Sequence, residues 1–200
     1  MKEENANMIK SKLGKASIGI AGLGGLGSNV AMALARAGVG RLVIVDFDEV
    51  EASNLNRQAY TLDQVGMRKT EALTQNIAKA NTDVDVTAIH LKLEPGFMDA
   101  PFASVDIIIE ALDNASTKAT FIEEISLKFP DKPIIVASGV AGIRGTERIQ
   151  MKRSGNLYLV YDDTAPSCDE TAVLAPRVGL FAYWQASLAL EILLGCENGD

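Results

Sequence analysis

Hydrophobic and polar positions alternate along the chain in a way that predicts strands and helices in turn. Residues 1–14 read as a polar N-terminal segment. Residues 17–21 then form a short apolar run that opens directly onto Gly22-Leu23-Gly24-Gly25-Leu26-Gly27. An alanine-rich helix is predicted over 28–37, with Gly38 placed to stop it. Residues 41–46, β-branched at Val43, Ile44 and Val45, predict a second strand. A polar connection, 49–66, leads to a helix over 67–80, and 84–91 alternates as a half-buried strand does. The continuous apolar run 105–109 predicts a strand covered on both faces. A helix over 116–128 and a buried strand over 133–137 follow, and 147–152 and 157–161 flank Arg153-Ser154-Gly155-Asn156 as a hairpin. After a loop over 162–171 comes the most apolar segment, 178–194. Gln185, Ser187 and Glu191 interrupt it, so it reads as a buried or dimer-forming helix rather than a bilayer span of about 20 apolar residues.

Strands alternating with helices through residue 137 predict a Rossmann-like, doubly wound α/β fold. Its sheet is mainly parallel, with the late hairpin as an antiparallel edge and a long C-terminal helix. Neither repeats nor a linker divide residues 1–200, which predicts one nucleotide-binding domain.

Charge and composition narrow the chemistry. With 19 basic and 26 acidic residues in 200, a net charge of −7 argues against a nucleic-acid partner bound through phosphates. The cysteines Cys168 and Cys196 cannot supply a disulfide framework or a four-thiolate zinc site, and one histidine, His90, leaves little room for His-based chemistry. No apolar stretch of signal-peptide length precedes the first strand, so the expected location is cytoplasmic, with no membrane partner.

In the glycine loop, Gly22 permits a tight turn, Gly24 and Gly25 let backbone approach a phosphate, and Gly27 allows close strand–helix packing. The helix that follows presents its amides to an anion. Asp46 ends the second strand 19 residues after Gly27, where an acid can hold a ribose hydroxyl. A nicotinamide oxidoreductase satisfies these 46 residues and explains nothing after them. Residues 47–58 are dense in polar groups at a carboxyl strand end, where open α/β sheets bind ligands. Lys69 shares a helix face with Leu73, Ile77 and Ala80, which fits either a lysine snorkelling at the core margin or an ammonium aimed into the crevice. Asp113-Asn114 follows the buried strand at a third carboxyl end, and taken singly it is an ordinary helix cap.

Together, Gly22-Leu23-Gly24-Gly25-Leu26-Gly27, Asp46-Phe47-Asp48, Ser53-Asn54-Leu55-Asn56-Arg57-Gln58, Gly66-Met67-Arg68-Lys69 and Asp113-Asn114 resemble the ThiF/MoeB/HesA family, bacterial relatives of ubiquitin-activating enzymes. The resemblance covers roughly residues 15–195. It implies ATP-dependent adenylation of the C-terminal glycine carboxylate of a ubiquitin-like sulfur carrier. It further implies that Asp46 holds the ribose, Arg57 and Lys69 meet the phosphates with support from Asn54, Asp48 makes a second polar contact, and Asp113 binds Mg²⁺.

Cys168 lies just ahead of the terminal helix. This layout is similar to the ThiF branch, where a cysteine takes part in sulfur transfer, and it implies a ThiS-like carrier and thiamine thiazole biosynthesis. An incidental exposed thiol is the alternative. Carriers of the molybdopterin-synthase type, a tRNA-modifying relative and a non-catalytic relative also stay open. Two features depart from the family. The zinc site of two Cys-x-x-Cys pairs is absent, and no arginine precedes Arg36 to reach a partner subunit's nucleotide, leaving Lys10, Lys12 or Lys15 as point charges. A homodimer is expected from the resemblance and from Phe181, Tyr183, Trp184, Leu188 and Ile192 around the last helix.

Overall fold

A computed structural model describes residues 2–168 and 170–196. Seven strands form one sheet in the order β3-β2-β1-β4-β5-β7-β6. They are β1 (Ser17–Ala21), β2 (Arg41–Asp46), β3 (Asp85–His90), β4 (Ile107–Glu110), β5 (Ile134–Ser138), β6 (Gln150–Ser154) and β7 (Leu157–Tyr161). The helices are α1 (Lys2–Leu13), α2 (Gly25–Ala37), α3 (Lys69–Ala80), α4 (Ala115–Lys128) and α5 (Ala175–Leu194).

The central strands β1, β2, β4 and β5 are apolar along nearly their whole length because helices cover both faces of the sheet. One cluster, built on Ile18, Ile20, Leu42 and Ile44, packs beneath α2, α3 and α5. A second, built on Val43, Val45, Ile108 and Val136, packs against Phe102, Phe121 and Ile125. The two clusters follow the alternate facing of side chains along each strand.

Element positions agree with the sequence reading, including the mainly parallel sheet with its antiparallel edge hairpin. The hairpin supplies that edge: β7 pairs in parallel with β5, and β6 pairs antiparallel with β7 as the outermost strand. The polar N-terminal segment is helical as α1, which periodicity did not reveal because Leu13 is its one fully buried apolar residue. Docking holds it instead, and Lys12 Nζ donates to the Leu194 carbonyl at the far end of α5 at 3.3 Å. Among the described residues no helix is long and apolar enough to cross a membrane.

Strand order reverses between β1 and β4, and in open α/β sheets the crevice at such a reversal is where ligands bind. The strand ends carrying the glycine loop, Asp46 and Asp113 are therefore neighbours: β2, β1 and β4.

Candidate active site

The glycine loop is held from three sides. Asp46 accepts the Leu23 amide at 2.6 Å through one carboxylate oxygen and the Asp48 amide at 2.8 Å through the other. Tyr60 donates its hydroxyl to the Leu23 carbonyl at 2.8 Å. On the third side Gly22, at φ +89°, lies against the backbone of Ala111 and Leu112. Gly27 touches the Gly22 carbonyl so closely that a Cβ there would stand 1.8 Å from it. The tight turn at Gly22 and the close strand–helix packing at Gly27 are thus visible as contacts.

Residues 52–60 are fastened onto that loop by the first turns of α2. Ser28 receives the Ala59 amide at 3.0 Å and donates to the Gly24 carbonyl, while Asn29 donates to the carbonyls of Gly25 and Arg57 at 2.7 and 2.9 Å. The Arg57 stem consequently lies over Gly25, with its Cγ and Cδ 3.7 and 3.8 Å from where a Cβ would be. Its guanidinium donates to Asn56 Oδ1 at 2.7 Å and the Ser53 carbonyl at 3.2 Å. Buried Asn54 caps its own turn by accepting the Glu51 amide at 3.1 Å.

Lys69 begins α3 with its side chain only 7% exposed, and its Nζ donates to Asp48 Oδ2 at 2.8 Å. The lysine is buried while its carboxylate partner stays half-exposed at the carboxyl edge of the sheet, whereas a snorkelling lysine would carry its ammonium out to water. Asp113 sits exposed at the end of β4, and its carboxylate has no hydrogen bond among the described residues. The turn beneath it is fixed by fully buried Glu110, which accepts the Leu112 amide at 2.7 Å and pairs with Lys118. Burial pushes the Glu110 carboxyl above its ordinary pKa despite that lysine. One exposed carboxylate is the donor set that Mg²⁺ uses when substrate phosphates and water complete its shell. Among the described residues no cluster of three His, Cys, Asp or Glu forms a metal cage.

Four contributors carried no role in the sequence reading. Ser28 and Asn29 follow the glycine motif as ordinary polar helix residues, so only tertiary contact reveals their bonds. Gln58 is 9% exposed, its amide faces Gly24, and its Oε1 is buried without a partner among the described residues. Tyr60 is locked as a donor, because burial, then the charges of Asp46 and Asp48, push its pKa far upward. A folded pKa above the unfolded one means that stability is full below the unfolded value, about 10. That stability is lost as pH rises from there toward the folded value. Tyr60→Phe should cost about 1 kcal/mol at neutral pH. It should also remove up to about 1.4 kcal/mol per pH unit of alkaline destabilisation, measured by denaturant unfolding between roughly pH 10 and 11.5.

Cys168 is exposed in the loop between β7 and α5, which the Glu170 and Thr171 amides turn back onto the Ser167 carbonyl. Because α5 begins only at Ala175, the thiol lies outside the first helical turn. Cys196 is exposed beyond the end of α5. Lys10 and Lys12 lie on α1, which leads with Lys15 into the amino end of β1, opposite the glycine loop.

The ThiF family profile matches residues 4–200. The chain belongs to the ThiF family. It is 32% identical over 197 residues to the sulfur carrier protein ThiS adenylyltransferase of Escherichia coli, covering 94% of this chain and 76% of that one. To the molybdopterin-synthase adenylyltransferase of the same organism it is 30% identical, covering 88% and 72%. To the adenylyltransferase and sulfurtransferase MOCS3 of Aedes aegypti it is 30% identical over 92% of its length, but spans only 43% of that relative. Among solved structures, the E. coli tRNA N6-threonylcarbamoyladenosine dehydratase TcdA, in complex with ATP, superposes with a TM-score of 0.85 at 23% identity, covering 96% of this chain and 91% of that one. At that identity the likeness concerns the fold alone.

Proposed function

We propose that this chain is an ATP-dependent adenylyltransferase that activates the C-terminal glycine carboxylate of a ubiquitin-like sulfur carrier, of the ThiS type. The observation that carries this reading is buried Lys69, paired with half-exposed Asp48, at the same sheet edge as an Arg57 fastened over the glycine loop. Together they make a cationic, partly dry frame for phosphates. In the reaction the carrier's carboxylate oxygen attacks the α-phosphorus of ATP, the bond to the β-phosphate oxygen breaks, and pyrophosphate leaves. An ionised carboxylate needs no general base, so positioning and charge neutralisation supply the catalysis.

In this proposal Asp46, whose oxygens retain acceptor capacity beyond the two amides they hold, receives the ribose hydroxyl. Arg57 and Lys69 neutralise the phosphates. Asp48 orients Lys69, and Asn54 shapes the turn beneath Arg57. The unpartnered Gln58 oxygen is matched by a nucleotide donor, a hydroxyl or an amino group. Mg²⁺ bound by Asp113 would offset charge on the departing pyrophosphate.

Two relatives with high mutual coverage are named for different carriers, so the ThiS assignment and thiamine thiazole formation rest on Cys168. We assign its thiol to the later sulfur-transfer stage. A homodimer fits the apolar depression of about 600 Å³ between α2 and α5, lined by Pro176, Leu180 and Tyr183 among others. A single domain, working in the cytoplasm, completes the reading.

Pyrophosphate exchange into ATP tests it. Exchange is expected only with Mg²⁺ and a carrier ending in Gly-Gly, and fastest with a ThiS-type carrier. No exchange across a panel of such carriers, or NAD binding tighter than ATP binding, would sink the proposal.

A further inference from the structure

One ion pair buried on both sides stands apart from the groups facing the glycine loop. Arg177, in the first turn of α5, donates through Nη2 to Asp162 Oδ2 at 2.6 Å and to the Gly139 carbonyl at 3.1 Å. Its Nη1 donates to the Arg144 carbonyl at 2.9 Å. Asp162, just past β7, accepts the Thr164 amide and hydroxyl on its other oxygen at 2.9 and 2.7 Å. The side chains are 5% and 1% exposed. Burial alone would raise the Asp162 pKa, but the hydrogen bonds from Thr164 and Arg177 outweigh it and hold the carboxyl below its ordinary value.

This pair joins the two ends of one loop. Residues 163–176 leave from Asp162 and return at Arg177, and Cys168 is exposed between them. The loop rests on the turn 139–145, where Gly142 donates its amide to the Ala172 carbonyl at 3.2 Å and lies against Pro166. Arg177 grips that turn at both Gly139 and Arg144. One residue further on, Val178 touches Gly25 of the glycine loop. The first turn of α5 thus connects the thiol-bearing loop to the proposed nucleotide pocket.

A buried ion pair is weak evidence of a gain in global stability. Such a pair is often no better than an apolar replacement, and here Arg177 Nε is buried without a partner among the described residues. Retaining it makes sense where a geometry has to be specified. We propose that Asp162 and Arg177 are positioning residues that pin the 163–176 loop beside the glycine loop, so that Cys168 meets the acyl-adenylate; they take no part in making it. The loop-holding half stands by itself, and the half concerning the acyl-adenylate rests on the function proposed above.

The test compares Arg177→Ala, Arg177→Lys and Asp162→Asn, the last nearly isosteric in case the alanine variant fails to fold. Digestion of the native protein with a glutamate-specific protease reads the loop directly, since Glu170 is the one glutamate within 163–176. Cleavage at Glu170 is expected to rise ~tenfold or more in Arg177→Ala and Asp162→Asn without a matching rise at other glutamates. Arg177→Lys, which keeps the charge, should recover much of the protection. Pyrophosphate exchange should stay within about threefold of wild type in kcat and in KM for ATP.

The second arm measures capture of the carrier by the thiol. The Cys168 sulfur attacks the acyl carbon of the carrier adenylate, the carbon–oxygen bond to phosphate breaks, AMP leaves, and the thiol proton passes to water. This thioester is expected to form in the wild type, to be absent in Cys168→Ser, and to fall ~tenfold or more in Arg177→Ala. Unchanged Glu170 cleavage, or exchange falling in step with thioester formation, would overturn the proposal. If the wild type catalyses no exchange, the adenylation reading fails while the proteolysis arm still decides whether the pair holds the loop.

Discussion

Gly27→Ala is expected to abolish ATP binding and to cost more than about 3 kcal/mol of folding stability, beyond the usual range for overpacking. The added methyl would stand 1.8 Å from the Gly22 carbonyl oxygen and 2.9 Å from its carbon. Neither atom belongs to a flexible side chain that can turn away. Relief therefore means separating α2 from the loop that ends β1. The Ser28 bonds to Gly24 and Ala59 and the Asn29 bonds to Gly25 and Arg57 would be strained with it. Gly96→Ala is the matching control. Its φ of +89° also penalises a side chain, but nothing lies within 4 Å of the added methyl, so only conformational strain of about 1–2 kcal/mol is expected. Denaturant unfolding and ATP titration of both variants separate contact from conformation. A Gly27→Ala protein with wild-type stability and affinity would show that the loop does not need this close approach.

Asp113→Ala is expected to reduce pyrophosphate exchange by at least about 10²-fold, the scale seen when a group stabilising transition-state charge is removed. Its carboxylate is exposed and takes part in none of the described hydrogen bonds, so removing it should leave the fold within about 0.5 kcal/mol of wild type. A large kinetic effect on an unperturbed fold is the signature of a group that acts on substrate or metal. Raising Mg²⁺ should restore part of the rate if Asp113 serves chiefly as a metal ligand. Cys168→Ser should behave in the opposite way, sparing exchange and blocking sulfur transfer. Equal loss of exchange in both variants would contradict the division of roles.

The legible part of the site was the part written in local sequence. The glycine loop follows a strand and opens a helix, and Asp46 and Asp113 each end or follow an apolar run. Their placement at carboxyl strand ends follows from chain direction in a parallel sheet. Lys69 was ambiguous because helical spacing puts it on the apolar face without saying where a long stem leads. The structure resolves it through Asp48, whose carboxylate meets the ammonium at 2.8 Å across 21 positions of sequence. Ser28, Asn29 and Tyr60 were silent for the same reason, since each bonds backbone brought near only by the fold.

By itself, the sequence determined the strand–helix alternation, the position of nearly every element and the three strand ends that gather candidate chemistry. These rest on hydrophobic periodicity and on glycine and turn residues, which act within a few positions along the chain. Tertiary structure alone decided that β7 continues the parallel sheet, that a polar N-terminal segment becomes α1 by docking on α5, and that Lys69 is buried against Asp48. It also decided that Asp162 and Arg177 close the loop around Cys168. Each of these depends on partners far apart in sequence, whose pairing is selected by burial and by the need of buried charges and amides for partners, and no local pattern encodes that.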